Sequence, residues 1–258
     1  MPRREAAPRH LAQSDSMTIN FAASTTAGRV RPTNQDDVAA VAGSRPGTFL
    51  FAVADGVGGL AEGAEASHGV IAALTSAFEG DAIPLSARVS TQILEANAAL
   101  HGRGLASGQP VGTTIVVVTI EDGSFEVLHV GDSRAYLLRE TTLLRLTEDH
   151  SWVAEQVRAG VLTEQEASNS PHRNVITRCL GVEPDVTIER RGPEPCLAGD
   201  TFLLCSDGLH GLVADAQIRD VLRRTDPPEA LARSLVDMAN DAGGTDNISV
   251  VVAHVERA

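Results

Sequence analysis

Five aspartates in this chain stand where an apolar run meets a turn: Asp36, Asp55, Asp132, Asp207 and Asp246. The clearest case is Phe51-Ala52-Val53-Ala54-Asp55-Gly56-Val57-Gly58-Gly59, an apolar run that delivers an acid and passes at once into small residues. Short apolar runs bounded by turn residues read as buried strands. Asp55 is therefore expected at a strand mouth, and the glycines let backbone pass close to whatever the acid holds. Asp36 opens a strand after a polar loop, Asp132 follows the run 126–130, Asp207 ends the run 201–206, and Asp246 precedes the last strand. Taken singly, each reads as a turn or a cap. Asp122-Gly123, between two β-type runs, reads as a hairpin turn and nothing more. Brought together, however, unpaired carboxylates repel and are desolvated. One or more hard divalent cations resolve that conflict, and an all-oxygen donor set suits Mg²⁺ or Mn²⁺. No His or Cys cluster competes, which sets zinc aside.

The elements that must position these acids follow from periodicity. A strand is expected from residue 18, then the polar loop Gly28-Arg29-Val30-Arg31-Pro32-Thr33-Asn34-Gln35-Asp36-Asp37, a strand over 38–42 and the strand 51–54. Ala66, Val70, Leu74 and Phe78 fall at successive i+4 steps and predict a helix over 64–78. Pro84 suits the first turn of a second helix, with Ile93, Ala96 and Leu100 on its buried face. From Gly112 the period becomes two, and 114–120, 125–130, 135–139 and 143–146 read as an antiparallel meander. A short helix is expected through Val157, then a polar, irregular stretch over 162–174 with the character of a lid. Strands over 185–190, 201–205 and 247–255 and helices over 214–222 and 228–239 complete the reading. Strands cluster and helices come in pairs, which favours an α+β layered sandwich over a doubly wound sheet. Residues 1–16 lack periodicity and read as a disordered tail. Trp152 and Tyr136 are expected as packing anchors, Arg134 as an ion-pair partner, and Gly112-Thr113-Thr114 as strand entry.

Composition excludes several functions. The 258 residues, 43% hydrophobic and 21% charged, can bury a core. A formal charge of −13 argues against a nucleic-acid or anionic-membrane surface. Every one of the 21 basic Lys or Arg residues is Arg. A P-loop and Schiff-base chemistry, which need Lys, are thereby set aside. Cys179, Cys196 and Cys205 form no CxxC pair and read as reduced cytoplasmic thiols. No apolar stretch approaches the roughly 18 residues of a membrane span, and the first residues carry no apolar signal core.

The motifs Arg31-Pro32-Thr33-Asn34-Gln35-Asp36, Val53-Ala54-Asp55-Gly56-Val57-Gly58-Gly59, Gly112-Thr113-Thr114, Val130-Gly131-Asp132-Ser133-Arg134, Leu146-Thr147-Glu148-Asp149-His150-Ser151, Cys205-Ser206-Asp207-Gly208 and Thr245-Asp246-Asn247-Ile248-Ser249 lie in one order. In that order the chain resembles the metal-dependent protein phosphatases (the PPM or type-2C family) of bacterial type, over about residues 18–255. Any one motif is weak, and the full set in sequence is specific. The resemblance implies a four-layer α-β-β-α sandwich: two antiparallel sheets flanked by helix pairs, with a metal centre at one end. It implies one phosphatase domain over 17–258, with a flap at about 153–174. By motif position Asp36 serves one Mn²⁺ or Mg²⁺ ion and Asp55 bridges two, with the Gly56 carbonyl as a further ligand. Asp207 and Asp246 hold the second ion, and Asp132 with Asp207 a third, weaker one. Arg31 holds the substrate phosphate, as a guanidinium fork suits phosphate oxygens.

The implied reaction is hydrolysis of phosphoserine and phosphothreonine in proteins by a metal-bridging hydroxide, without a phospho-enzyme. The implied partners are phosphorylated proteins, a serine/threonine kinase and its substrates among them, met in the cytoplasm by a monomer. Two departures stand out. Gln35 occupies a position that is often Glu in the family, and Val57 replaces the His that animal members carry after the Asp-Gly. The leaving group's proton must then come from water or another group, with His172 and His210 nearest by motif. A regulatory, partner-binding domain with little or no activity on the same fold is the alternative, as is a phosphatase of small molecules. Loss of a metal acid would point to the regulatory reading, and none is lost.

Overall fold

The computed structural model describes residues 17–57, 62–78 and 83–257. The expected tail over 1–16, and Gly58 and Gly59 of the Asp-Gly turn, lie outside the described residues. The first half runs β1 (Thr18–Thr26), β2 (Asp36–Ala42), β3 (Phe49–Val57), α1 (Glu62–Ala77), α2 (Leu85–Ser107), β4 (Gly112–Thr113), β5 (Ile115–Glu121), β6 (Ser124–Val130) and β7 (Arg134–Arg139). The second runs β8 (Thr142–Arg145), α3 (Trp152–Arg158), α4 (Glu164–Ser168), β9 (Glu189–Pro195), β10 (Thr201–Cys205), α5 (Asp207–His210), α6 (Asp215–Leu222), α7 (Pro228–Asp241) and β11 (Ile248–Arg257). One sheet has the order β1-β11-β10-β7-β8 and the other β2-β3-β5-β6-β9, with β4 paired to β3. All the pairings are antiparallel.

Strand parity explains the layers. In β3 the residues Phe49, Phe51 and Val53 enter the core between the sheets. Leu50, Ala52 and Ala54 face the core under α1 and α2. A strand covered on both faces must be apolar throughout, which is why its run does not alternate. In β11 Val251, Ala253 and Val255 face the inter-sheet core, and Ile248, Val250 and Val252 face a third core under α6 and α7. Three cores between four layers make the expected α-β-β-α sandwich. Among the described residues no helix is long and apolar enough to cross a membrane.

The structure corrects several expectations. The strand expected over 185–190 falls at Glu189–Pro195, an exposed edge strand set by its pairing with β6 across a bulge, so apolar alternation does not mark it. The stretch expected to be irregular contains α4, closed by a Thr163–Glu166 capping box; that T-x-x-E signal was there to be read. Trp152, expected as an anchor, is 36% exposed and meets His172 edge-on at 5.1 Å. Tyr136 is fully buried.

Candidate metal centre

The five acids meet where the inter-sheet core gives out. Asp55 continues the parity of Phe49, Phe51 and Val53, and antiparallel register sets it directly opposite Asp36. Paired residues share a face, so both carboxylates close the same end of that core. At this end of the other sheet lie the exit of β10, followed by Ser206 and Asp207, and the entry to β11, preceded by Asp246 and Asn247. Asp132 lies between β6 and β7, beside the start of β7 that pairs with the end of β10.

The backbone around the acids is fixed by contacts far apart in sequence. Asn247 donates through Nδ2 to the carbonyls of Ala27 (3.2 Å) and Thr33 (2.9 Å) and accepts from the Gln35 N–H at 2.8 Å, stapling the 27–35 loop to β11. The Gln35 carbonyl accepts from Gly56 N–H (3.1 Å) and Ser67 Oγ (2.6 Å). A Cβ on Gly56 would lie 2.3 Å from the Gly63 carbonyl oxygen and 2.6 Å from that of Gln35, so only glycine fits. Thr114 Oγ1 accepts from the Asp55 N–H at 3.1 Å, its own N–H donates to the Asp55 carbonyl at 2.8 Å, and Thr113 Oγ1 donates to that carbonyl at 2.9 Å. Strand entry was all the sequence suggested for Gly112-Thr113-Thr114, and its positioning of Asp55 was missed. Gly131, at φ 111°, would drive a Cβ to 2.6 Å from Thr114.

The electrostatics are those of a site built for positive charge. Asp36 is 2% exposed and accepts through Oδ2 from Ser206 Oγ at 2.8 Å. Burial, with Asp207 and Asp246 nearby, pushes its carboxyl up to about 7. Burial and Asp207 push Asp132 up to about 8. Burial and Asp246 push Asp207 up to about 6, and Asp55 is raised well above the carboxylate range by burial and Asp36. Three carboxylate oxygens, Oδ1 of Asp36, Asp132 and Asp207, are buried without a hydrogen-bond partner. Such orphans are rare in folded proteins and call for a partner such as a water or an ion. Among the described residues, no three acid, His or Cys side chains close on one point as a finished cage. Mg²⁺ and its like keep several waters and take few carboxylates directly, so the open arrangement still fits a hard divalent ion.

Arg31 reaches the same place: its Nη2 lies 2.6 Å from Asp246 Oδ2, with half of its side chain exposed. His172 stands on the exposed face by Trp152. His210 is set against Asp132, its Nε2 lying 3.0 Å from the Asp132 carbonyl. Burial drives its pKa down to about 3, so the ring is neutral and that nitrogen donates. A group held neutral by burial is not the general acid; His210 instead positions the Asp132 backbone. Arg134 makes the expected ion pair, its Nε 2.9 Å from Asp149 Oδ1 and its Nη2 2.6 Å from Oδ2. Ser151 caps α3, accepting from the Ala154 N–H.

A family model described as Protein phosphatase 2C matches residues 27–247. The chain is 36% identical over 251 residues to "Serine/threonine protein phosphatase PstP" of Mycobacterium tuberculosis, covering 93% of this chain but only 46% of that protein. The chain thus spans about half the length of this relative. It is 34% identical over 240 residues to "Serine/threonine phosphatase stp" of Listeria welshimeri, covering 90% of this chain and 94% of the relative. Among solved structures, the catalytic domain of PstP in complex with two manganese ions superposes with a TM-score of 0.81 at 34% identity, over 93% of this chain and 99% of that one.

Proposed function

Because the chain belongs to the protein phosphatase 2C family, we propose that it hydrolyses phosphoserine and phosphothreonine in proteins with two bound Mn²⁺ or Mg²⁺ ions. The observation that carries this reading is the set of orphaned, buried carboxylate oxygens on Asp36, Asp132 and Asp207 at one end of the sandwich. Asp36 and Asp55 would hold one ion and Asp55, Asp207 and Asp246 the other, with the Gly56 carbonyl as a further donor. Asp132 with Asp207 would hold a third, weaker one. When bound, the ions supply the Lewis acidity that readies a water for in-line attack and takes up charge on the phosphoryl group.

The chain's own residues do the rest. Arg31, half-exposed and tethered by Asp246, presents its remaining N–H groups to the phosphate oxygens and turns the phosphorus toward the acids. Ser206, donating to Asp36, holds that carboxylate in one rotamer. Val57 and the neutral His210 offer no proton, so solvent protonates the departing alkoxide to the free hydroxyl. The residues 153–174 sit beside the acids as a flap. A cytoplasmic site of action is part of this reading, supported by three unpaired cysteines, two of them buried. The partners are the phosphoproteins made by a serine/threonine kinase, met by a monomer.

The test is hydrolysis of p-nitrophenyl phosphate and of a phosphothreonine peptide by chelated protein, before and after Mn²⁺ is restored. Metal-dependent turnover favouring the peptide is expected. Absence of turnover in protein shown to bind Mn²⁺ overturns the reading.

A further inference from the structure

A second feature lies at the same end of the sandwich, between the edge strands β8 and β9. There a cavity of about 410 Å³ is walled by Arg145, Arg158, Arg178, Arg190 and Arg191, with His150 at its back. These are five of the chain's 21 arginines, gathered on one wall of a protein whose net charge is −13. Four are held by carboxylates, Glu148 and Glu189 exposed and Glu126 and Glu194 half-buried: Arg158 by Glu148 (3.1 Å), Arg178 by Glu189 (3.2 Å), Arg190 by Glu126 (3.5 Å) and Arg191 by Glu194 (2.8 Å). The exposed pairs of Arg158 and Arg178 are worth under about 1 kcal/mol, so a dianion displaces them readily. Among the described residues the Arg145 guanidinium has no carboxylate partner.

The back wall points to an acceptor more sharply. His150 is 4% exposed, and its Nδ1 accepts from the Gly131 N–H at 3.0 Å. The ring proton is therefore on Nε2. That nitrogen faces Arg178 Nη1 at 3.0 Å, so two donors meet head to head. The acceptor at hand, Glu189 Oε1, is 3.2 Å from Arg178 but 3.9 Å from His150 and leaves the imidazole N–H unmet. Burial and the stacked His129 ring keep His150 neutral, so a second ring proton does not ease the clash. An anionic oxygen placed there accepts from both donors.

Arg145, Glu148 and Arg158 also line a neighbouring cavity of about 310 Å³ that reaches Asp132 and Asp207. The arginine wall is thus continuous with the aspartate end along the 145–158 side. We propose that this cavity is a second phosphate site, which takes another phosphoryl group of the same protein segment whose first phosphate lies among the aspartates. It rests on the reading that the substrates are phosphoproteins, and makes multiply phosphorylated segments the preferred class. The source could also be free inorganic phosphate. Continuity with the aspartates favours the substrate's own group, and the overall negative charge disfavours a long polyanion.

The experiment uses the full chain with Mn²⁺ and fluorescent peptides bearing non-hydrolysable phosphonates. One peptide carries a single phosphonate, a series carries a second at different spacings, and a control carries Glu at the second position. Binding is read by fluorescence polarisation for the wild type and for Arg145→Gln/Arg191→Gln. The doubly substituted peptide is expected to bind about tenfold tighter at the favoured spacing, with Glu recovering only part of that gain. In the variant the ratio of double to single falls toward one, whatever its absolute affinity. Inorganic phosphate is expected to weaken the doubly substituted peptide selectively. Equal binding of the single and double peptides at every spacing overturns the proposal, also where inorganic phosphate itself binds. So does a ratio that survives in the variant. Because phosphonates are not turned over, this result stands apart from the hydrolysis assay, whose failure would strike the activity and not the cavity.

Discussion

Asp36→Asn offers the most direct view of the acid cluster, through stability of metal-free protein. Asp36 is nearly inaccessible, and its carboxyl is raised from 3.8 to about 7 by burial and by Asp207 and Asp246. The raised value means that the folded chain holds a proton which the unfolded chain has already released between about pH 4 and pH 7. Stability is then greatest below the unfolded value and falls as pH rises through the folded one. Three units correspond to about 4 kcal/mol at most, and water entry and relaxation reduce this to about 2 kcal/mol. The asparagine keeps an acceptor for Ser206 Oγ and removes the charge. In chelator at pH 8 the variant should therefore be the more stable protein, by about 2 kcal/mol or some 5 °C in Tm for a chain of this size. At pH 5.5, about midway between the unfolded and folded values, the gap should shrink to about half, and the two should converge only near pH 4. Mn²⁺ should reverse the order by stabilising wild type and not the variant. The assay is urea unfolding at both pH values, with chelator and with Mn²⁺. Chelated wild type as stable at pH 8 as at pH 5.5 would refute the reasoning, for the carboxylates could not then be crowded in the fold.

Two further outcomes follow. Asp149→Ala removes one side of the nearly buried bidentate pair with Arg134 and should cost about 3–5 kcal/mol in urea unfolding, while Arg134→Met/Asp149→Leu should recover much of it. His210→Gln, which can still donate to the Asp132 carbonyl, should retain kcat within about tenfold, whereas loss of a general acid costs about 10²–10⁴.

The acids were legible because each ends a run whose apolar character is itself a signal, and strand ends are where chains change chemistry. Parity then does the rest: the layers of β3 can be written down from 49, 51, 53 and 50, 52, 54 alone. What stayed hidden was the support. Asn247 braces residues 27–35, Thr113 and Thr114 brace Asp55, and Ser206 braces Asp36, each across a sequence gap that no local pattern reports. β9 was misplaced because an exposed edge strand carries no apolar period and takes its position from its neighbour. The general acid was sought in His210 because proximity in a motif says nothing of burial, and burial decides its charge.

The same parity ties the site to the fold more tightly than the individual hydrogen bonds do. Asp55 points into the inter-sheet seam because it lies an even number of residues from Phe51 and Val53, which pack there. A one-residue slip of β3 would turn it under α1 and bring its neighbours Ala54 and Gly56 toward the seam. Such a slip is resisted by every buried side chain of the strand, so the position of one carboxylate is guarded by two cores at once. The repulsion among the acids, a few kcal/mol, is small beside that burial. The fold can therefore hold the acids together before any cation arrives.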